Sequence, residues 1–316
     1  MTNTNSTDSI SSTDSTHERI GADAIQVAYD QAMAVGECPL WHAEQACLYW
    51  VDIDGFAVHR LHPASGVHQA WAMDSEPATL ALCAGGGLIV ALRSGVIHLD
   101  TNSGAVTPVA QAPYDTATVR FNDGKVDAAG RFWVGTLYEP RTLQAAQMFY
   151  LERGTVRLAW SGGMTVSNGL AFSPDHATLY HADTTSHRID RYGVDVATGA
   201  LSPPQRFQQF STDKTSNYGG RPDGAAVDSE GAYWCAMFEG ARVLRFAPDG
   251  TLLRTVALPL RCPTMVAFGG DDLRTLYITS ASHKRSAAEC AQYPLTGRVL
   301  SLRVDVAGLP EPLYQP

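Results

Sequence analysis

The sequence predicts an all-β fold, a propeller of six blades, on three observations. A short apolar strand led by one polar residue recurs along the chain. Each strong copy continues through a tight turn into a second strand that opens on aromatic residues. No long amphipathic helical pattern competes with them.

The copies run in order. Glu37 leads the strand containing Pro39-Leu40-Trp41, answered by Leu48-Tyr49-Trp50. Thr79 leads a weaker copy, Leu80 to Leu92, built around Gly85-Gly86-Gly87. Asn122 precedes Asp123-Gly124-Lys125-Val126 and the aromatic pair Phe132-Trp133. Asn168 leads Gly169-Leu170-Ala171-Phe172 and Leu179-Tyr180, and Asp223 leads Gly224-Ala225-Ala226-Val227 and Tyr233-Trp234. Thr264 leads a second weak copy, Met265 to Ala281. These leaders divide the chain into units of about 40 to 55 residues, the period of a four-stranded blade. Third strands such as Val58-His59-Arg60-Leu61, Arg188 to Tyr192 and Arg242 to Phe246 alternate apolar and polar side chains. Turn signals follow them at Pro63 to Gly66, Ala197-Thr198-Gly199 and Pro248-Asp249-Gly250, each able to reverse the chain into a fourth strand. A propeller must also join its ends. Ala24 to Tyr29 is expected to supply the outer strand of the last blade, beside Gly297 to Leu302.

The repeat is unbroken, so the 316 residues are read as one propeller domain over 21–316. Residues 1–20, rich in Ser, Thr, Asn and Asp, are expected to be a disordered tail. This tail has neither the basic nor the apolar region of a secretory signal, and no later stretch is long and apolar enough to span a bilayer. A formal charge of −9 without a Lys/Arg cluster disfavours nucleic acid, and nothing implies a membrane or an obligate protein partner. Six cysteines, at 38, 47, 83, 235, 262 and 290, are scattered without a CxxC pair. Reduced, mostly buried thiols in a cytoplasmic protein are the simplest account.

Innermost strands line the channel of a propeller, so residues leading them form a ring at one of its ends. Glu37, Asn168 and Asp223 are then oxygen donors converging from three blades. Two carboxylates and an amide carbonyl suit Ca²⁺, Mg²⁺ or Mn²⁺, with Zn²⁺ or Fe²⁺ less favoured where no imidazole or thiolate joins the set. Three protein ligands leave positions open for water or substrate. Taken singly, Asn168-Gly169 or Asp223-Gly224 reads as a turn; their shared register, and a Glu with no turn advantage at 37, favour the ring. Arg120 and Asn122 form the densest polar cluster and suit a polyhydroxylated or carboxylate-bearing ligand. The alternative, an Arg120–Asp123 ion pair beside an Asp123-Gly124 turn, is equally open. Nucleophile-elbow, zincin, phosphate-loop and dinucleotide motifs are all absent from the sequence. His59 and His62 should face opposite sides of one strand and share no metal, His181 and His187 are read as packing or surface residues, and Cys38 as a structural thiol.

The motifs GECPLW, RFNDGKVDAAGRFWVGT, SNGLAFSPD and RPDGAAVDSEGAYW closely resemble the SMP-30/gluconolactonase/luciferin-regenerating family, which includes regucalcin, in the same order over about residues 24–305. The resemblance implies a six-bladed propeller with one divalent metal held by Glu37, Asn168 and Asp223, Ca²⁺ the first choice and Zn²⁺, Mn²⁺, Mg²⁺ or Fe²⁺ the alternatives. It implies substrate contacts from Arg120 and Asn122. A further family acid after Gly135-Thr136 maps onto Glu139, where Pro140 departs from the family's acidic pair. Ser280-Ala281-Ser282-His283 departs as well.

Implied activity is hydrolysis of a small sugar lactone, gluconolactone-, xylonolactone- or arabinonolactone-like, to the aldonic acid. The cation would polarise the carbonyl and Asp223 would be the general base. A calcium-binding regulatory propeller, a phosphotriesterase-like hydrolase and, less favoured, a protein-interaction propeller are the competing readings.

Overall fold

The structure, a computed structural model, describes residues 17–215 and 218–316. Six sheets, antiparallel but for one short edge strand, follow one another along the chain, each winding from an innermost to an outermost strand. Blade 1 comprises Gly36–His42, Cys47–Asp52, Ala57–His62 and Val67–Ala72. Blade 2 comprises Pro77–Leu82, Leu88–Leu92, Gly95–Leu99 and Val106–Gln111. Blade 3 is Val119–Val126, Phe132–Tyr138, Gln147–Glu152 and Thr155–Ser161, and blade 4 is Ser167–Phe172, Thr178–Asp183, Arg188–Gly193 and Gln205–Gln209. Blade 5 is Arg221–Val227, Tyr233–Phe238, Arg242–Phe246 and Leu252–Ala257. Blade 6 runs Pro263–Gly269, Thr275–Ser280 and Val299–Arg303, and Gln26–Tyr29 from near the start of the chain pairs with the last of these as its outer strand. The closure expected for 24–29 is therefore present.

Six hydrophobic clusters, one between each pair of neighbouring blades, hold the ring together. The aromatic residues that mark the repeat supply them: Trp41 and Trp50 pack between blades 6 and 1, Trp133 between 3 and 4, and Trp234 between 5 and 6. Each blade is thus covered on both faces, and its second strand is buried nearly throughout, as in Cys47–Asp52 and Tyr233–Phe238. The turn acids of the motifs act locally. Asp127 accepts from Trp133 Nε1 at 2.7 Å and Arg131 Nε at 2.6 Å, and Asp228 accepts from Trp234 Nε1 at 2.8 Å and Arg245 Nε at 2.8 Å. These brackets tie a hairpin to the indole that fills the next interface.

The tail expected over 1–20 lies, for residues 1–16, outside the described residues. Its end needs correction: Glu18–Ile20 is a strand pairing in parallel with Leu252–Ala257 on the edge of blade 5. Glu18 meets Arg254 Nε at 2.7 Å and Ile20 packs on the cluster between blades 5 and 6, contacts that sequence polarity does not reveal. At the far end of the chain Tyr314 is buried, donating its N–H to Leu82 O at 2.8 Å and accepting from Gly154 N at 2.9 Å. The six cysteines are free thiols, Cys290 half-buried and the others buried, and burial pushes the Cys38 thiol up to about 12. Among the described residues no helix is long and apolar enough to cross a membrane.

Candidate active site at the channel mouth

All six leaders lie on innermost strands, and each of those strands carries a β-bulge beside its leader. A bulge twists the strand and re-aims side chains, which is how a ladder of alternating residues can turn one polar group into the channel. The sequence suggests one shared register position for the leaders, and the structure corrects this. Glu37 and Asn168 are the last paired residues before their bulges, whereas Asn122, Asp223 and Thr264 are the first unpaired ones. In blade 4 the residue after the leader is Gly169, with φ +61°; in blade 1 it is Cys38, with φ +48°, a left-handed conformation a side chain rarely adopts.

Glu37, Asn168, Asp223, Arg120, Asn122 and Glu139, the full set drawn from the sequence, line one cavity of about 600 Å³, with Thr264. Thr79 is not on its wall; its hydroxyl donates to Cys38 Sγ at 3.1 Å, tying blade 2 to blade 1. A directed chain of hydrogen bonds crosses the floor. Arg120 Nη1 donates to Asn122 Oδ1 at 2.7 Å and to Phe121 O at 2.9 Å. Asn122 Nδ2 donates to Asn168 Oδ1 at 2.9 Å, Asn168 Nδ2 to Thr184 Oγ1 at 2.8 Å, and Thr184 Oγ1 to Pro222 O at 2.8 Å. Since the Thr184 hydroxyl has its proton on Pro222 O, it can only accept from Asn168, which fixes the Asn168 amide with its oxygen toward Asn122. Thr184 was invisible to sequence reasoning, because nothing local marks it.

The alternative Arg120–Asp123 pair does not form. Asp123 turns away and accepts the Leu170 N–H at 2.8 Å through Oδ2, while its Oδ1 is buried without a partner. Nor does Asp123-Gly124 make a turn; both residues lie within the strand Val119–Val126. Burial pushes the Asp123 carboxyl up to about 7. Glu37 is raised well above its ordinary value by desolvation and then by Asp223 and Asp123; desolvation also carries Asp223 up to about 8, with Arg221 opposing. Glu37 accepts only the neighbouring Cys38 N–H, at 3.2 Å, and no hydrogen bond among the described residues ends on the Asp223 carboxylate. Among these residues no three His, Cys, Asp or Glu side chains gather closely enough to hold a metal. The expected set has only two such groups, with Asn168 as its third member. Its chemistry fits a hard cation: two carboxylates lacking ion-pair partners, an oriented amide oxygen, and a third buried acid whose repulsion such a charge would relieve.

The walls differ in how their charges are used. Arg93 is saturated, with Nε on Glu76 at 2.8 Å and Nη2 on Glu139 at 2.6 Å, so Glu139 faces the cavity with both oxygens engaged. That hydrogen bond from Arg93 holds Glu139 below its ordinary value. His283 pairs with Asp54 on the rim. Arg221, Lys284 and Arg285, none of them singled out by sequence, line the opposite side. His59, His181 and His187 stand apart from the cavity: His59 bonds His68 at 3.0 Å, His181 bonds Ser167 Oγ at 3.1 Å, and His187 bonds Ser211 O at 3.0 Å.

Residues 35–282 match the family described as SMP-30/Gluconolactonase/LRE-like region. The chain belongs to this family. It is 46% identical to the 6-deoxy-6-sulfogluconolactonase of Pseudomonas putida over 284 residues, 90% of this chain and 96% of that protein. Regucalcin of Gallus gallus is 34% identical over 283 residues, covering 87% of this chain and 93% of the relative. Among solved structures, a calcium-binding protein, regucalcin, from Agrobacterium tumefaciens superposes with a TM-score of 0.88 at 27% identity, covering 95% of this chain and 99% of its own.

Proposed function

We propose that this family member is a carboxylic-ester hydrolase that opens a sugar lactone to its aldonic acid, and that it requires one divalent cation, Ca²⁺ first, held by Glu37, Asn168 and Asp223. The observation that carries the reading is the pair of carboxylates, Glu37 and Asp223, that share a cavity with a pinned amide oxygen and form no ion pair among the described residues. The lactonase names of relatives, including the pentonolactonase XacC of Haloferax volcanii at 31% identity, support the substrate class. Aldonolactones of the glucono-, xylono- or arabinono- type fit the cavity's volume and polar lining. The six unpaired cysteines suit the reducing cytoplasm.

When bound, the cation supplies a Lewis acid for the lactone carbonyl. Asp223 accepts a proton from water as its oxygen attacks the carbonyl carbon. Collapse of the tetrahedral species breaks the ring C–O bond, and the proton held on Asp223 passes to the departing alkoxide, leaving a hydroxyl and a new carboxylic acid. Arg120, its guanidinium fixed by Asn122 and Phe121, points its remaining N–H groups at sugar hydroxyls, and Asn122 orients Asn168. Glu139 and Arg93 together form the polar wall against which the ring rests. The test is a panel of five- and six-membered aldonolactones assayed with and without EDTA. Turnover should vanish on chelation and return with a divalent ion; full activity of metal-free protein sinks the reading, and metal binding without turnover of any lactone favours the regulatory alternative.

A further inference from the structure

Resting on the lactonase reading, we propose that the cavity face formed by Arg221, Lys284 and Arg285 is a subsite for a tetrahedral oxyanion, a sulfonate or a phosphate, carried by the sugar lactone on a carbon remote from the carbonyl. Overall the chain is acidic, at −9, yet this face is cationic. Lys214, Arg221, Arg261 and Arg285 share the carboxylates of Glu239 and Glu289, and Lys284, exposed on the same rim, forms no ion pair among the described residues.

The pairing is also loose where it faces the cavity. The close partner of Glu239 is Lys214 at 2.9 Å, whereas Arg221 stands 3.5 Å and Arg285 3.6 Å away. Arg285 lies 3.5 Å from Glu289, and the Nε atoms of both Arg221 and Arg285 are buried with no hydrogen-bond partner. Both guanidiniums stand over the Phe238 ring, their Cζ atoms 5.1 and 5.9 Å from its centre, so the ring supports the two charges. Arg93, by contrast, has its guanidinium engaged by Glu76 and Glu139. A neutral lactone would leave the Arg221 side partly desolvated and unanswered, whereas three oxyanion oxygens can each accept a charge-assisted hydrogen bond.

Position supports the assignment. Arg221 precedes Asp223 by two residues on the same innermost strand, and both line the cavity. Two strand residues span ~7 Å, comparable to the distance from a lactone carbonyl to the oxygens of a sulfonate or phosphate on its terminal carbon. The carboxylate generated by hydrolysis forms at the Asp223 end and leaves this face to the terminal substituent.

The experiment compares kcat/KM for gluconolactone, 6-phosphogluconolactone and 6-deoxy-6-sulfogluconolactone, with calorimetry of the three ring-opened acids on metal-loaded protein. Charged substrates should be preferred by roughly 10-fold or more, the preference shrinking as salt rises, and the more active of the two identifying the oxyanion. In Lys284→Met/Arg285→Gln, and separately in Arg221→Gln, the charged-to-neutral ratio should fall about 10-fold, the loss expected for a charge-assisted contact. Using a ratio within one preparation removes any loss of folded protein from the comparison. Equal use of charged and neutral lactones, or a preference that survives these substitutions, overturns the subsite. No turnover of any lactone sinks the lactonase reading instead, and tighter binding of the charged acids would then still support the subsite.

Discussion

Thr184 offers a direct test of how the channel sets its amide ligand. Thr184→Val keeps the side-chain volume but removes the hydroxyl that accepts from Asn168 Nδ2 and donates to Pro222 O, each at 2.8 Å, at a position only 8% exposed. Two buried polar groups lose their partner, a cost of about 1–3 kcal/mol each and less if water enters. The Asn168 amide is then free to rotate, which moves Oδ1 off the proposed ligand position. Outer partners of metal ligands typically contribute 10- to 100-fold in affinity, so the Ca²⁺ Kd, measured by calorimetry on folded protein, should rise by roughly that factor. Thr184→Ser retains the hydroxyl and should restore most of it. A Val variant that melts earlier but binds Ca²⁺ with unchanged Kd would refute the reasoning, because it would mean Asn168 is positioned by packing or is not a ligand.

At saturating metal, Glu37→Gln should recover much of its kcat while Asp223→Asn stays about 10²- to 10⁴-fold down; equal recovery would show that Asp223 does not act as the base. In chelated protein the folded state keeps protons on Asp223 up to about 8 and on Asp123 up to about 7, against 3.8 for the free side chains. Because the folded state is then the one holding extra protons, stability should fall as pH rises through that window, and the gap in Tm between metal-loaded and chelated protein should widen. Melts from pH 5 to 8.5 decide it, and a chelated protein that gains stability toward pH 8 contradicts it. Gly169→Ala places a Cβ 2.4 Å from Tyr233 Oη at φ +61°, so it should lower both Tm and Ca²⁺ affinity; an unchanged melt would mean the bulge relaxes freely.

Much of the candidate site was legible because each leader is marked by its own unit. The apolar strand after Glu37, Asn168 or Asp223 and the aromatic pair after the turn are local signals, and they place the leader on an innermost strand before any contact is known. For Asp123 the sequence left a turn and a strand equally open, and the chain keeps the Asp-Gly pair inside a bulged strand with one carboxylate oxygen unpartnered. Nor could the sequence show that Arg93, 46 residues before Glu139, engages both oxygens of that acid. Residues 18–20 looked like part of a polar tail because their partner, Arg254, is 236 positions away.

The sequence by itself determined the six-unit repeat, its all-β character and the ring of polar leaders, since alternation, turn residues and aromatic pairs act within a single blade. Only the tertiary structure decided how those leaders are aimed and what surrounds them. Asn122 reaches Asn168 across 46 residues and Thr184 reaches Pro222 across 38, each bond crossing from one blade to the next. The cationic face likewise gathers Arg221 from blade 5 and Lys284 and Arg285 from the segment after Thr275–Ser280. Orientation, partner and protonation state depend on which blades stand side by side, and closing the ring is what sets that.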